Sequence, residues 1–394
     1  MEIVMSTAVG GDVRVREVDL AQAADVRRFI EFPFELYRAA PQWTPPLRLE
    51  MRQLMDPRRN AFFRHSQAGF FTAERSGRVV GRIAALRHRF YNEKHQNDTA
   101  FFHWFECIDD AAVAHALFAA AEAWAGERGC RRMLGPIGFI QPDPPGILVT
   151  GFEHEGTMNV PWHFPYYERL VTAAGFAPHT DYISGYFDRS YPYPAEMIAR
   201  ADAAREKWGY TVKSFQTKKE LWAWTERFFK TYLEAFSEVA DFYPMSPPEF
   251  ETLATNMLQV ADPAAIKLVL RGDDVIGFLL SFRDVTPGLR RARGNLLPFG
   301  WWHLLRNLQT SRQCNIIALG VLPRHQKGGA NLALFAELVR TLFASKFERA
   351  EIVQIVRSNL NTYGDMSRLG AKWDKCHRVF RREFAAAEVS GDES

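Results

Sequence analysis

Between Cys314 and Leu338 the sequence passes from an apolar run to a pair of glycines to a second apolar run with different spacing, and no other stretch constrains the fold as tightly. Asn315 to Leu322 (NIIALGVL) is rich in Ile and Leu and carries no charge, which predicts a short buried strand. Pro323 ends it. After Gln326-Lys327-Gly328-Gly329-Ala330-Asn331, apolar residues recur at Leu332, Leu334, Phe335, Leu338, Val339, Leu342 and Phe343, the spacing of a helix buried along one face. The glycines therefore stand at a helix N-terminus. Unpaired N–H groups and the positive end of the helix dipole favour an anion there, and residues without side chains let a phosphate come close. A Gly-Gly turn also serves simply as a tight connection.

The order Leu319-Gly320-Val321-Leu322-Pro323, then Gln326-x-x-Gly329-x-Asn331, then an apolar helix, resembles the acyl-CoA loop of the GNAT superfamily of N-acyltransferases, whose pattern is (Q/R)-x-x-G-x-(G/A). A second matching piece follows. Glu351 to Val356 (EIVQIV) reads as a strand, Asn359 opens a helix that ends at Leu369-Gly370-Ala371, and His377 to Arg382 (HRVFRR) is similar to the family's closing strand. The resemblance implies acyl-CoA as co-substrate, held by Leu319, Val321, Gln326, Lys327, Gly328, Gly329, Ala330, Asn331 and Asn359. In this family a backbone N–H near Val321 polarises the thioester carbonyl. His325 and Lys327 are placed to touch phosphates. Asn331 departs from the pattern: it tolerates unusual backbone angles but carries a side chain, which implies a looser grip on the diphosphate. Met366 stands where many members have the tyrosine that protonates the leaving thiolate.

The 394 residues are enough for two ordinary cores, and 47% hydrophobic with 24% charged residues is the balance of a globular protein. The sequence has neither an apolar run long enough to span a bilayer nor a secretory leader, so a cytoplasmic location is expected. Cys107, Cys130, Cys314 and Cys376 form no C-x-x-C pair, so no metal site and no disulfide framework is expected. A net charge of +3 gives no footprint for nucleic acid.

Taken in order, the chain shows the same pattern twice. Met1 to Asp12 is expected to be disordered. Val13 to Val18 alternates as a strand and Ala24 to Tyr37 has helical spacing. Gly69–Glu74 and Arg78–Leu86 read as a hairpin turning at Ser76-Gly77, and Thr99–Ile108 as the next strand. A long alanine-rich helix, Ala111–Arg128, follows. Its entry is Asp109-Asp110, two carboxylates that would repel a diphosphate, so this half reads as having lost the cofactor loop. Tyr182–Phe187 closes the half and 189–209 reads as linker and helix. From Tyr210 the order restarts, with Ile266–Leu270 and Val275–Phe282 as the matching hairpin. The expectation is an α/β (α+β) protein of two tandem GNAT-like domains, 13–188 and 210–386, with a tail at 387–394. Each has a mixed, largely antiparallel central sheet flanked by helices. Leu296–Gly300 (LLPFG), Gly135-Pro136 and the pair Tyr166-Tyr167 are similar to a bacterial family of tandem GNAT proteins that includes bacterial ceramide synthases. That resemblance implies transfer of a fatty acyl group from CoA to a sphingoid amine.

For catalysis, Glu106 at the end of its strand between Phe105 and Cys107 would face a partly apolar cleft that raises its pKa and suits it as base. The plainer reading is a carboxylate accepting backbone hydrogen bonds. His103, three residues earlier, would face the opposite side of an ideal strand. Tyr166 and Tyr167 would line the acceptor site or donate to the thiolate, or else pack in the core with satisfied hydroxyls. Asp241, Tyr243 and Asp284 fall in loops expected to face the cleft. Finally, Leu289–Arg312 has no acid, adjacent Trp301 and Trp302, and Arg290, Arg291 and Arg293, which reads as a peripheral membrane contact or as an amphipathic cover for the domain's own core. Three readings follow: a lipid N-acyltransferase, an N-acetyltransferase of a small amine or peptide, and a non-catalytic acyl-CoA-binding protein.

Overall fold

The computed structural model describes residues 2–5, 12–158, 160–191, 195–239 and 241–384. The first half runs β1 (Glu2–Met5), β2 (Val13–Glu17), α1 (Ala23–Leu36), α2 (Arg48–Met55), β3 (Gln67–Arg75), β4 (Arg78–Arg87), α3 (Arg89–His95), β5 (Thr99–Cys107), α4 (Ala111–Gly126), β6 (Arg132–Gly135), β7 (Ile147–Thr150), α5 (Tyr167–Ala173) and β8 (Ala177–Asp188). The second runs α6 (Ala195–Trp208), β9 (Tyr210–Ser214), α7 (Lys218–Trp222), α8 (Thr225–Phe236), α9 (Pro247–Val260), β10 (Lys267–Arg271), β11 (Asp274–Arg283), α10 (Thr286–Ala292), α11 (Gly300–Thr310), β12 (Gln313–Val321), α12 (Ala330–Ala344), β13 (Arg349–Val356), α13 (Leu360–Arg368) and β14 (Lys372–Glu383).

Local chemistry accounts for the framework. Ser76 and Gly77 both take positive φ (49° and 76°), the two-residue turn whose twist suits a tight hairpin, and β3 pairs with β4 across it. The alanine-rich α4 lies close on that hairpin: a Cβ on Gly69 would stand 2.5 Å from Trp124 Nε1, so the bare glycine leaves the indole its place. The hydroxyl of Ser246 and the carboxylate of Glu249 form a reciprocal capping box that starts α9.

The strands join in one sheet, ordered β1-β2-β3-β4-β5-β6-β14-β8-β13-β12-β11-β10-β9, with β7 also on β14. The two halves repeat one motif about its centre. In each, an antiparallel hairpin leads to a parallel pair that is joined only at its root: β5 with β6 from Thr99↔Arg132 to Phe101↔Leu134, and β12 with β13 from Gln313↔Arg349 to Ile316↔Ile352. Beyond these rungs each pair diverges and opens a V-shaped cleft. Each also carries a register shift just past the root, opposite Arg82/Ala84 in one half and Leu280/Ser281 in the other.

The closing strands are exchanged. β14, last in the chain, pairs with β6 of the first half, while β8, last of the first half, pairs with β13 of the second. At this seam Lys375 Nζ lies 3.2 Å from Glu351 Oε1, both side chains almost fully buried. Glu2–Met5, inside the stretch expected to be disordered, instead pairs as an edge strand with β2; residues 6–11, 192–194 of the expected linker, and the expected tail lie outside the described residues. The basic, tryptophan-bearing stretch is a pair of helices, α10 and α11.

Candidate active site

The site grows from the root of α12. Leu322 N–H donates to the Ile276 carbonyl at 2.9 Å, and alternate residues of a strand turn their amides to opposite edges, so Val321 and Leu319 present theirs to the side from which β13 has departed. Gln326 Nε2 donates to the Val321 carbonyl at 3.2 Å and braces the turn. Gly329 (φ 80°) is the N-cap of α12, and no side chain caps the helix. Added Cβ atoms would come within 2.6 Å of Tyr210 Oη at Gly328 and 2.7 Å of Ala204 Cβ at Gly329. The loop is thus pressed against α6 and β9, and its first-turn amides stay open. Lys327 (φ 65°) is exposed beside them. Burial, reinforced by Arg324 and Arg271, lowers the pKa of His325. Asn331 uses its side chain to reach α13: Nδ2 donates to Asp365 Oδ2 at 2.9 Å. Asn359 caps that helix by accepting from Thr362 N–H at 3.1 Å.

The corresponding place in the first half is closed. Asp110 caps α4, accepting from the amides of Ala112 and Val113 at 2.8 and 3.3 Å, and its other oxygen pairs with Arg75 at 2.9 Å. The amides that α12 leaves open are here already taken by a carboxylate. Tyr166 Oη donates to the Cys107 carbonyl at 2.8 Å, while Cys107 N–H reaches Tyr167 Oη at 3.3 Å and Tyr37 Oη meets it at 3.2 Å. Neither Tyr166 nor Tyr167 lines the cavity described next; both fill the end of β5.

A cavity of about 1010 Å³ lies between the halves. It reaches Ile317, Leu319 and Val353 in the β12–β13 cleft and Trp104, Ile137 and Phe139 in the β5–β6 cleft. Glu106 lines it, but its partner is a cation, not an apolar wall: Arg82, buried on β4, donates from Nε to Glu106 Oε2 at 2.5 Å and from Nη1 to the Phe29 carbonyl at 3.0 Å. His103 lines it too. An ideal strand would turn the two apart, but Trp104 takes φ 47° at the register shift, and the extra residue changes the alternation. His103 packs on Trp104 and Phe139, its buried Nδ1 lacks a partner among the described residues, and burial lowers its pKa to about 3.

Sequence reasoning passed over four further groups in this wall. Arg82 was visible as one cation inside an apolar strand. His163 accepts from Leu148 N–H at Nδ1 (3.2 Å), which leaves the proton on Nε2, and burial holds it neutral with a pKa of about 3. Tyr182 lies on the exchanged strand β8 opposite Val356, and burial raises its pKa, so it stays a protonated donor. Gln354 donates to the Pro145 carbonyl at 2.8 Å and has a buried carbonyl oxygen without a partner among the described residues. No local pattern marks the last three: Tyr182 reaches the cavity on the exchanged strand β8, Gln354 on β13 beside it, and His163 from the loop before α5.

Asp241 lines the cavity and accepts from Tyr91 Oη and His179 Nε2 at 3.1 and 3.0 Å. Tyr243 also lines it, whereas Asp284 lies in the wall behind, accepting from Thr286 N–H at 3.1 Å. Of the basic residues read as membrane-facing, Arg290 is committed elsewhere. It donates to the carbonyls of Gln42 (2.9 Å) and Gly156 (3.0 Å) and ties the halves together. Arg291, Arg293, Trp301 and Trp302 are exposed. No helix among the described residues is long and apolar enough to cross a membrane, and no group of three or more His, Cys, Asp or Glu is placed to hold a metal ion.

No family model matches the chain. It is 26% identical over 367 residues to protein YghO of Escherichia coli, covering 91% of this chain and 93% of that one. It is also 26% identical over 367 residues to the bacterial ceramide synthase of Caulobacter vibrioides, covering 91% and 95%. Among solved structures, a tandem GNAT protein from the clavulanic acid biosynthesis pathway superposes with a TM-score of 0.56 over 95% of this chain and all of that one, at 11% identity. With its doubled motif and paired clefts, the chain has the fold of the tandem GNAT proteins.

Proposed function

We propose that this protein transfers an acyl group from a coenzyme A thioester to a primary amine, and that the favoured acceptor is a long-chain sphingoid base. The observation that carries the reading is the contrast between the two helix starts: α12 leaves its amides open at the end of a cleft, while α4 has its own carboxylate on them. Of these two equivalent helix starts, that of α12 is the one open to a diphosphate, with Lys327 and His325 beside it. The thioester supplies the acyl group and a thiolate that must leave.

The remaining work falls to side chains of the cavity. The Val321 amide, turned into the cleft, stabilises the charge that develops on the carbonyl oxygen. As the C–N bond forms and the C–S bond breaks, the amine loses a proton and the thiolate gains one. Glu106, fixed by Arg82, holds the incoming ammonium and receives its proton; His103, neutral at physiological pH, lies in the same wall. Tyr182 is the donor to the thiolate in place of the residue that Met366 replaces. Two supports favour a long acceptor: the largely apolar lining of a cavity at the upper end of the size range of small-molecule sites, and the similarity to an enzyme named as a ceramide synthase. The reading includes contact with a membrane, at the cytoplasmic face.

The test compares melting temperatures with acetyl-CoA, palmitoyl-CoA and free CoA, for the native chain and Gly329→Trp, followed by assay of thiol release with sphinganine. A ligand that binds only the folded state raises the melting temperature by mass action. Palmitoyl-CoA should stabilise more than acetyl-CoA, the substitution should remove the effect, and sphinganine should be acylated. Stabilisation by acetyl-CoA alone points to a small acceptor. Binding without turnover of any amine leaves an acyl-CoA-binding protein.

A further inference from the structure

The hairpin of α10 and α11 has two apolar sides. Leu297, Phe299 and Leu305 keep 79%, 70% and 51% of their surface exposed, and Trp301 and Trp302 lie beside them, also exposed. On the same helices Leu289, Leu304 and Leu308 line the cavity. At 100° per residue, Leu304, Leu308, Trp301, Leu305 and Trp302 follow one another around α11 within an arc of roughly 160°. The apolar face that begins inside the cavity therefore continues to the outer surface. The first half meets it there: Arg48, at the start of α2, bonds to the carbonyls of Gly294 (3.0 Å) and Arg293 (2.6 Å), and its neighbour Leu47 also lines the cavity.

Charge identifies what covers this face. No acidic residue occurs between Asp284 and Glu337. Arg291, Arg293 and Arg306 are exposed and make no ion pair among the described residues, and Arg306 lies over Trp302 at 5.3 Å. Exposed tryptophan, leucine and phenylalanine ringed by unpaired arginine suit an anionic bilayer, where aromatic rings take the interface and guanidinium groups the headgroups. A second copy of this chain would set those arginines against one another.

We propose that the α10–α11 hairpin is seated in an anionic bilayer and forms the cavity's portal, so that a lipid substrate passes from membrane to cavity along the apolar face of α11. The seat is independent of the acyltransferase reading; the nature of the cargo rests on it. Vesicles of phosphatidylcholine with and without phosphatidylglycerol separate the two contributions. The full chain should sediment with the anionic vesicles, Trp301→Ser/Trp302→Ser should not, and Arg291→Gln/Arg293→Gln/Arg306→Gln should bind about a hundredfold more weakly. Unchanged melting temperatures would show that the variants fold. The portal is read without turnover. The four native cysteines are buried, so Leu304→Cys offers one reactive thiol on the cavity side. A maleimide carried on a fatty chain within the vesicles should alkylate it faster than a water-soluble maleimide does, and the tryptophan variant should lose that advantage. Vesicle binding without such alkylation overturns the portal. Absence of vesicle binding, or self-association through the two tryptophans, overturns the seat. If alkylation occurs but no amine is acylated, the portal stands and the acyltransferase reading fails.

Discussion

His88, His103, His163 and His377 are buried where a charged imidazole is poorly accommodated, and burial lowers their pKa values to about 3, 3, 3 and 4. In the unfolded chain they titrate near the ordinary value of about 6.5. Below that pH the unfolded state takes up protons that the folded state refuses, so stability is complete above about pH 6.5 and declines as the pH falls toward 3. Asp143 opposes this: burial raises its pKa to about 6, so between its unfolded value and 6 the folded state holds the extra proton. Each of these imidazoles contributes a loss of about 1 kcal/mol between pH 6.5 and 5.5, offset in part by Asp143 and by Glu50, Glu122, Asp284 and Glu351, whose pKa values burial also raises, so the net change is a loss smaller than the sum of the four. Denaturant unfolding at the two pH values should show it, and His103→Gln should remove about 1 kcal/mol of the difference. A stability unchanged over this range would refute the assignment. At this scale the sequence was legible where a residue's role is local, as with Gly329. It set His103 on the side of the strand opposite Glu106, whereas both line the cavity, because the orientation depends on a bulge at Trp104.

Elements were easier to read than their partners. The run Asn315–Leu322 lies within β12 but for its last residue, the helix after Gly329 begins at Ala330, and the hairpin at Ser76-Gly77 is present with its turn. Each follows from periodicity and turn chemistry contained in a few adjacent residues. The α10–α11 pair did not announce itself, because Gly294, Pro298 and Gly300 interrupt its spacing. The contrast between α4 and α12 yields a prediction about elements. Removing the cap with Asp110→Ala should cost about 1 kcal/mol of stability, the usual worth of an N-cap, with a further contribution from the Arg75 pair. It should leave the acyl-CoA-induced thermal shift intact, because the diphosphate is assigned to α12. If the shift disappears while the protein remains folded, the first half takes part in binding the cofactor and the assignment of one loop is wrong.

At the scale of the molecule, the doubling of the motif was legible, since each half repeats the same order of strand, helix and hairpin. The exchange of closing strands was not, because a strand's own residues do not say which half it will join. That exchange makes the tandem arrangement a single folding unit. The first half without β14 exposes the edge of β6, and the second without β8 exposes the edge of β13, on which Glu351 is buried beside Lys375. Removing one partner of such a buried pair costs about 3–5 kcal/mol through the uncompensated charge, and an open hydrophobic edge invites aggregation. Lys375→Met should therefore destabilise strongly, whereas Lys375→Met combined with Glu351→Leu should recover much of the loss, with packing replacing the ion pair. Chains cut after residue 191 should not melt cooperatively alone, and mixing the two pieces during refolding should restore the transition. A first half that melts by itself as the whole protein does would mean that the exchanged strands contribute little. The cavity, whose wall includes Tyr182 and Gln354 from opposite sides of that exchange, would then not need both halves folded together.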